Sequence, residues 1–201
     1  MSELTVLQAV RLKGRITPAD LAATLGEDPA DIAATVEQLT QAGLLADGKI
    51  VKISPDGRAR LGELLTSERA SADPSALAAA YRDFRAVDTE FKALVTDWQL
   101  KNGRPNTHED ADYDAAVLAR LDRLHQQVSP IIAVAAVQLP RLSHYSAKLQ
   151  AALDKVNAGE TVWLSRPMID SYHTVWFELH EELILAAGRT RDEEAKAGEA
   201  Q

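Results

Sequence analysis

Apolar residues recur along this chain at three- and four-residue steps, the period of a helix laid against a core. Leu4, Leu7, Val10 and Leu12 mark a first helix over 2–13, which Gly14 stops. Leu21, Ala22 and Leu25 mark a second helix closed by Gly26, and Ile32, Val36 and Leu39 line a third that ends at Gly43. The second and third begin alike. Thr17-Pro18-Ala19-Asp20 and Asp28-Pro29-Ala30-Asp31 each supply a capping side chain, a proline at the first helical position and an acid three residues after the cap. The period then changes. Leu44-Leu45-Ala46 reads as a short strand, Asp47-Gly48 as a hairpin turn and Lys49-Ile50-Val51-Lys52-Ile53 as the return strand. Ser54-Pro55-Asp56-Gly57-Arg58 opens a further helix through Leu61, Leu64 and Leu65.

After a small, polar stretch over 67–75 the helical period resumes in four longer segments. The first, about 75–102, carries Leu77, Tyr81, Phe84, Val87, Phe91, Leu94 and Trp98, and Asn102-Gly103-Arg104-Pro105 ends it. The second, about 112–128, carries Val117, Leu121, Leu124 and Val128, and Ser129-Pro130 marks a cap or kink. The third, about 131–157, carries Ala135, Leu142, Tyr145, Leu149, Leu153 and Val156, with a kink expected at Pro140. The fourth, about 167–187, carries Ile169, Tyr172, Trp176, Leu179, Leu183 and Ala187. The pattern predicts a mainly α protein: a helix-turn-helix with a two-stranded wing over 1–66, a linker over 67–75, an antiparallel four-helix bundle-like domain over 76–188 and a flexible polar tail over 189–201.

The passage Gly43-Leu44-Leu45, hairpin, Ser54-Pro55-Asp56-Gly57-Arg58 resembles the winged-helix domains of MarR- and PadR-like bacterial regulators over about residues 2–66. The resemblance implies a homodimeric, double-stranded DNA-binding transcriptional regulator whose third helix enters the major groove. Thr35, Gln38 and Gln41 on that helix, with Lys49 and Lys52 of the wing and Arg58 after it, would then meet the DNA. Charge qualifies this expectation. The chain of 201 residues carries a net charge of −8. Up to residue 70 there are 8 basic and 10 acidic residues, so no half is a basic module. Residues 29–42 hold no Lys or Arg, whereas Asp31 and Glu37 would repel phosphates. The alternative is an interaction module, a winged helix and bundle that regulates or scaffolds a metabolic enzyme without touching DNA.

The segment Asp170–Glu194 resembles a recurring bacterial module associated with regulators and with pyruvate phosphate dikinase-like proteins. That resemblance implies a small-molecule or enzyme partner from phosphotransfer metabolism. Within it, His173 and His180 lie two helical turns apart with Trp176 between, and Asp170 is one turn before His173. These four are candidates for lining a ligand pocket. Seven-residue spacing is poor for one metal ion, so no metal is expected, and packing is the competing role. No P-loop, dinucleotide fingerprint, nucleophile elbow or paired-histidine zinc motif occurs, and neither an enzyme nor a cofactor is expected. The absence of cysteine excludes disulfides and fits a reducing compartment. No apolar run approaches the ~20 residues of a membrane span. The start Met1-Ser2-Glu3 lacks a basic segment and a signal-peptide core, so a cytoplasmic protein is expected.

Overall fold

A computed structural model describes residues 2–189, so the tail expected over 189–201 lies, beyond Arg189, outside the described residues. Contacts divide the chain into two units, Met1–Ser71 and Ala72–Gln201. Among the described residues the protein is mainly helical, with two small antiparallel two-stranded sheets.

In the first unit, α1 (Glu3–Lys13), α2 (Pro18–Leu25) and α3 (Pro29–Gln41) precede β1 (Leu45–Ala46), β2 (Lys52–Ile53) and α4 (Pro55–Ala70). The caps are those the sequence offers. Ser2, Thr17, Asp28 and Ser54 each accept a bond from a backbone N–H of the helix they open, and Pro occupies the first turn of the last three. Ser54 also donates to the Gly43 carbonyl (2.6 Å), tying the start of α4 to the end of α3. The core gathers Val6, Leu7 and Val10 of α1, Leu21 of α2, Ile32 and Val36 of α3, Leu45, Ile53 and Leu61. Leu4 and Leu12, expected on the inner face of α1, are only half-buried; Val6 takes that place. The β1–β2 ladder is shorter than the expected strands, pairing Leu45 with Ile53 and Ala46 with Lys52. Ile16, ahead of α2, adds a backbone bridge to Val51.

The expected linker over 67–75 is mostly helix. Residues 67–70 contain neither Gly nor Pro, so α4 runs on to Ala70, and Asp73 already caps α5 (Pro74–Gln99). That helix stops before Asn102 because Asn102-Gly103 forms the turn of a hairpin between β3 (Leu100–Lys101) and β4 (Arg104–Pro105). Both turn residues have positive φ, 53° and 74°, the geometry that favours Asn-Gly in two-residue hairpins. Next, α6 (Ala111–Gln138) passes straight through Pro130. The hydrogen bond lost there is on the solvent side, where Gln126 and Pro130 are exposed, while Leu124, Val128 and Ile132 continue one buried stripe. The break comes at Leu139, whose backbone leaves the helical region (φ −128°, ψ 86°) before Pro140, followed by one turn of 3-10 helix over Pro140–Ser143. The segments α7 (His144–Asn157), α8 (Val162–Ser165) and α9 (Tyr172–Ala186) complete the unit. The last helix starts later than residue 167, at the Ser171 cap.

Side-chain bonds fix the helix directions. The Tyr113 hydroxyl at the start of α6 donates to the Asp97 carbonyl near the end of α5, and Asp73 N–H donates to the Gln138 side chain. His125 meets Gln150, and Asn157 meets Asp122, so α7 runs back along α6. Tyr145 meets Glu182 and Lys148 meets Glu178 between α7 and α9. Phe91 lies beside Tyr172 and Phe84 beside His180 between α9 and α5. Each neighbouring pair is therefore antiparallel. The long helix α9 is apolar or buried on most of its surface, as expected for a helix packed on α5, α7 and α8 at once.

Candidate functional site

Two loci bear chemistry, one in each unit. In the first unit, α3 presents an outer face of Ala30, Ala33, Ala34, Glu37, Gln38 and Gln41, all exposed. Asp28 accepts bonds from the Ala30 and Asp31 N–H groups, which places a carboxylate on the helix end that would otherwise attract an anion. The Thr35 hydroxyl is half-buried and donates back to the Asp31 carbonyl (2.8 Å), and the Gln41 amide donates to Glu37 (3.2 Å). Of the three candidates on α3, Gln38 alone projects an amide with no partner among the described residues.

Exposed cations lie instead on the β1–β2 ladder and the segments beside it. Ile16 and Val51 exchange two backbone hydrogen bonds, Ile16 N–H to Val51 carbonyl and Val51 N–H to Ile16 carbonyl. Antiparallel register then sets Arg15 across from Lys52. Ile16 and Val51 point into the core, so Arg15 and Lys52 alternate outward, and both are exposed. Lys49 lies in the loop between β1 and β2, and Arg58 lies on the first turn of α4, both exposed. Two cations facing each other across a ladder repel, and among the described residues no carboxylate pairs with Arg15, Lys49, Lys52 or Arg58. This edge is suited to a polyanion. Arg15 acquires its place through the Ile16–Val51 bridge; the alternation of Ile16 between polar neighbours was the signal for it.

In the second unit, three of the four candidate ligand residues face α5. The Trp176 indole N–H donates to Asp88 (2.9 Å), Lys92 pairs with the same carboxylate (3.0 Å), and His180 Nδ1 lies 3.7 Å from it. Phe91 stacks on Trp176 with ring centroids 4.3 Å apart, and Phe84 lies against both Trp176 and His180. His173 is at the rim beside Phe91, where desolvation holds its pKa below the usual imidazole value. Asp170 is not with them: it pairs with Lys148 of α7 (3.4 Å).

Lys148 belongs to a buried ionic layer between α7 and α9. It pairs with Glu178 (3.0 Å), Arg141 pairs with Glu182 (2.7 Å), and the Tyr145 hydroxyl donates to Glu182 (3.4 Å). Glu182 is 1% exposed and Arg141 10%. Burial, with the adjacent carboxylates, raises the Tyr145 pKa well above the usual phenol value. Charges so placed are costly unless each finds its partner. Asp88, Glu178, Glu182, Arg141 and Lys148 are absent from the sequence-derived candidates. Their signal was positional: Asp88 is four residues after Phe84, and Glu178 and Glu182 fall on a helix with little polar face to spare. Among the described residues no group of three His, Asp or Glu side chains is arranged to hold a metal.

No family model, curated protein or solved structure matches this chain.

Proposed function

We propose that the first unit is a winged helix-turn-helix domain of MarR/PadR-like type and that it binds double-stranded DNA, chiefly through its wing. On this reading α2 and α3 are the helix-turn-helix, β1 and β2 the wing, and the second unit an up-down bundle of α5, α6, α7 and α9. The protein is a cytoplasmic, non-enzymatic transcriptional regulator. The observation that carries the reading is the exposed cationic pair of Arg15 and Lys52, set across from each other by the Ile16–Val51 bridge, with exposed Lys49 and Arg58 in the adjoining loop and helix. Phosphate contacts supply most sequence-independent affinity. Gln38 is the α3 side chain best disposed to reach a base edge. The test is fluorescence anisotropy with a labelled duplex from upstream of the protein's own gene, across a salt series. Binding that weakens as salt rises, and more so in Arg15→Glu, supports the reading.

A second reading is supported by α3 itself. Its outward alanines, with Asp31 and Glu37 and no cation, together with the exposed Ile50 of the wing, suit a protein partner better than a phosphate backbone. A chain that binds no duplex at low salt would favour that interaction module.

A further inference from the structure

The β3–β4 hairpin sets two cations against each other in the second unit. Its register places Lys101 directly across from Arg104, on either side of the Asn102-Gly103 turn. Like charges so opposed weaken a ladder, and this ladder is short. The two side chains line a hollow of about 450 Å³ together with Asn102, Pro105, Asn106 and Thr107. Hydrogen bonds fix one wall of it. The Asn106 N–H donates to the Gln99 carbonyl (2.8 Å), and its side-chain amide donates to the Trp98 carbonyl (3.1 Å) and to Asp114 (2.9 Å). The Asn106 side-chain oxygen accepts the His108 N–H (3.1 Å), where His108 has a positive φ of 58°. The His108 ring lies against Trp98, centroids 4.4 Å apart, and its Nδ1 meets Asp114 (2.9 Å).

The acids beside the hollow are engaged. Asp114 is held by Asn106 and His108, and Asp110 by Lys101 and by the Tyr113 N–H that it caps. Glu109 accepts the Thr107 hydroxyl (3.2 Å). Arg104 is exposed, and among the described residues no carboxylate pairs with it.

We propose that this hollow binds a small phosphomonoester, a phosphorylated sugar of about pentose size. A planar guanidinium takes two phosphate oxygens at once, so a dianion can hold Arg104 while sharing Lys101 with Asp110. The Asn102 amide and the Thr107 hydroxyl add neutral donors for the remaining oxygens. Pro105 is the one apolar residue of the lining, so the rest of the ligand is polar. The volume lies toward the small end of ligand pockets and leaves room for more than a bare phosphate. A long polyanion such as nucleic acid fits poorly. Glu109, Asp110 and Asp112 follow the hairpin and repel charge that extends past the hollow. One dianion on two solvated cations corresponds to a Kd on the order of 1 mM, weakening as salt rises. The inference holds whichever macromolecule the first unit binds.

Amide NMR spectra of the nitrogen-labelled full chain, titrated with ribose 5-phosphate to about 20 mM, should show saturable shifts at Gly103 and Thr107. Free ribose should leave both amides unmoved, and inorganic phosphate should bind at least about threefold more weakly than the sugar phosphate. Arg104→Gln should weaken binding at least about tenfold, with its spectrum unchanged outside the hairpin. Lys101→Gln gives the same reading by a second route, and Arg82→Gln on α5 should change nothing. The absence of a saturable shift, equal shifts from free ribose, or undiminished binding in Arg104→Gln would each overturn the proposal. Inorganic phosphate as tight as the sugar phosphate would overturn the sugar assignment and make free phosphate the ligand. Duplex binding that falls in Arg104→Gln, with no response to ribose 5-phosphate, would overturn it in favour of nucleic acid at this hairpin.

Discussion

Gly57 and Gly62 sit in the same helix and should respond to alanine in opposite directions. A Cβ at Gly57 would lie 2.0 Å from the Leu44 carbonyl oxygen and 2.9 Å from Ile53 Cγ1, about 1 Å inside any normal approach to that oxygen. The obstacle is backbone, so it cannot swing away. The Leu44 carbonyl also accepts the Ser54 N–H (3.1 Å), and its neighbour Gly43 accepts the Ser54 hydroxyl. Moving it strains or breaks both bonds, each contributing about 1 kcal/mol, on top of an overpacking cost of about 1–3 kcal/mol. The helix-propensity gain of alanine offsets at most about 1 kcal/mol. Gly57→Ala should therefore destabilise the first unit by about 3 kcal/mol. Gly62 has nothing within 4 Å of the added Cβ, and Gly62→Ala should stabilise by about 0.5–1 kcal/mol. All aromatic residues lie at or after Tyr81, so tryptophan fluorescence reports on the second unit while far-UV circular dichroism reports on both. At a urea slope of about 1 kcal/mol per M for so small a unit, the Gly57→Ala transition should move down by about 2–3 M in the dichroism signal. An unchanged or raised midpoint in Gly57→Ala would refute the argument.

Trp176→Ala should cost about 3–5 kcal/mol in tryptophan-free probes such as dichroism, through the cavity left among Phe84 and Phe91; a loss under 1 kcal/mol would place Trp176 outside the core. Glu182→Leu removes the carboxylate paired with the buried Arg141 (2.7 Å) and should cost about 3–5 kcal/mol, whereas the double change Glu182→Leu/Arg141→Met should recover much of it; equal losses in denaturant melts would show that the pair is not coupled. Burial holds His125 and His144 below their ordinary imidazole pKa. The unfolded chain therefore binds protons that the folded one resists. Their contribution is full above about pH 6.5 and is lost as the pH falls below it toward the folded values. Fluorescence melts should show a lower Tm at pH 5.5 than at 7.5, a gap that narrows in His144→Gln; a gap of unchanged size in that variant would contradict this account.

Local signals in the sequence were enough for the short capped helices. Thr17-Pro18, Asp28-Pro29 and Ser54-Pro55 each open a helix because cap and proline act within one turn, with no help from the rest of the fold. Pro130 and Pro140 look alike locally, yet one is spanned and the other breaks its helix. Leu124, Val128 and Ile132 carry one buried stripe across Pro130, whereas the helix has already ended at Leu139 before Pro140, and neither outcome is written in the prolines themselves. Asn102-Gly103 was legible as a turn but was read as a helix stop, because strands of two residues leave no alternating pattern. Asp88, Glu178 and Glu182 are buried because their partners arrive from other elements: Trp176 from α9, Lys148 from α7 and Arg141 from the 3-10 turn before it. Sequence spacing along one helix carries no information about those meetings. The same holds for Asp170, whose partner is Lys148 rather than His173. Of the proposed DNA contacts, Lys49 and Lys52 are legible in the hairpin, Arg58 after it, and Arg15 as a basic residue near the first turn; that Arg15 faces Lys52 follows only from a bridge between distant segments.

The salt dependence of duplex binding tests the wing-led reading most directly. Four exposed cations per chain, each displacing a counterion, give a slope of log K against log salt of about −3 to −4 per bound chain. Lys49→Glu/Lys52→Glu should weaken binding to every duplex alike and flatten that slope by about two. Binding that is undetectable at low salt, or that keeps its full slope in the double variant, would contradict a nucleic-acid role for this edge.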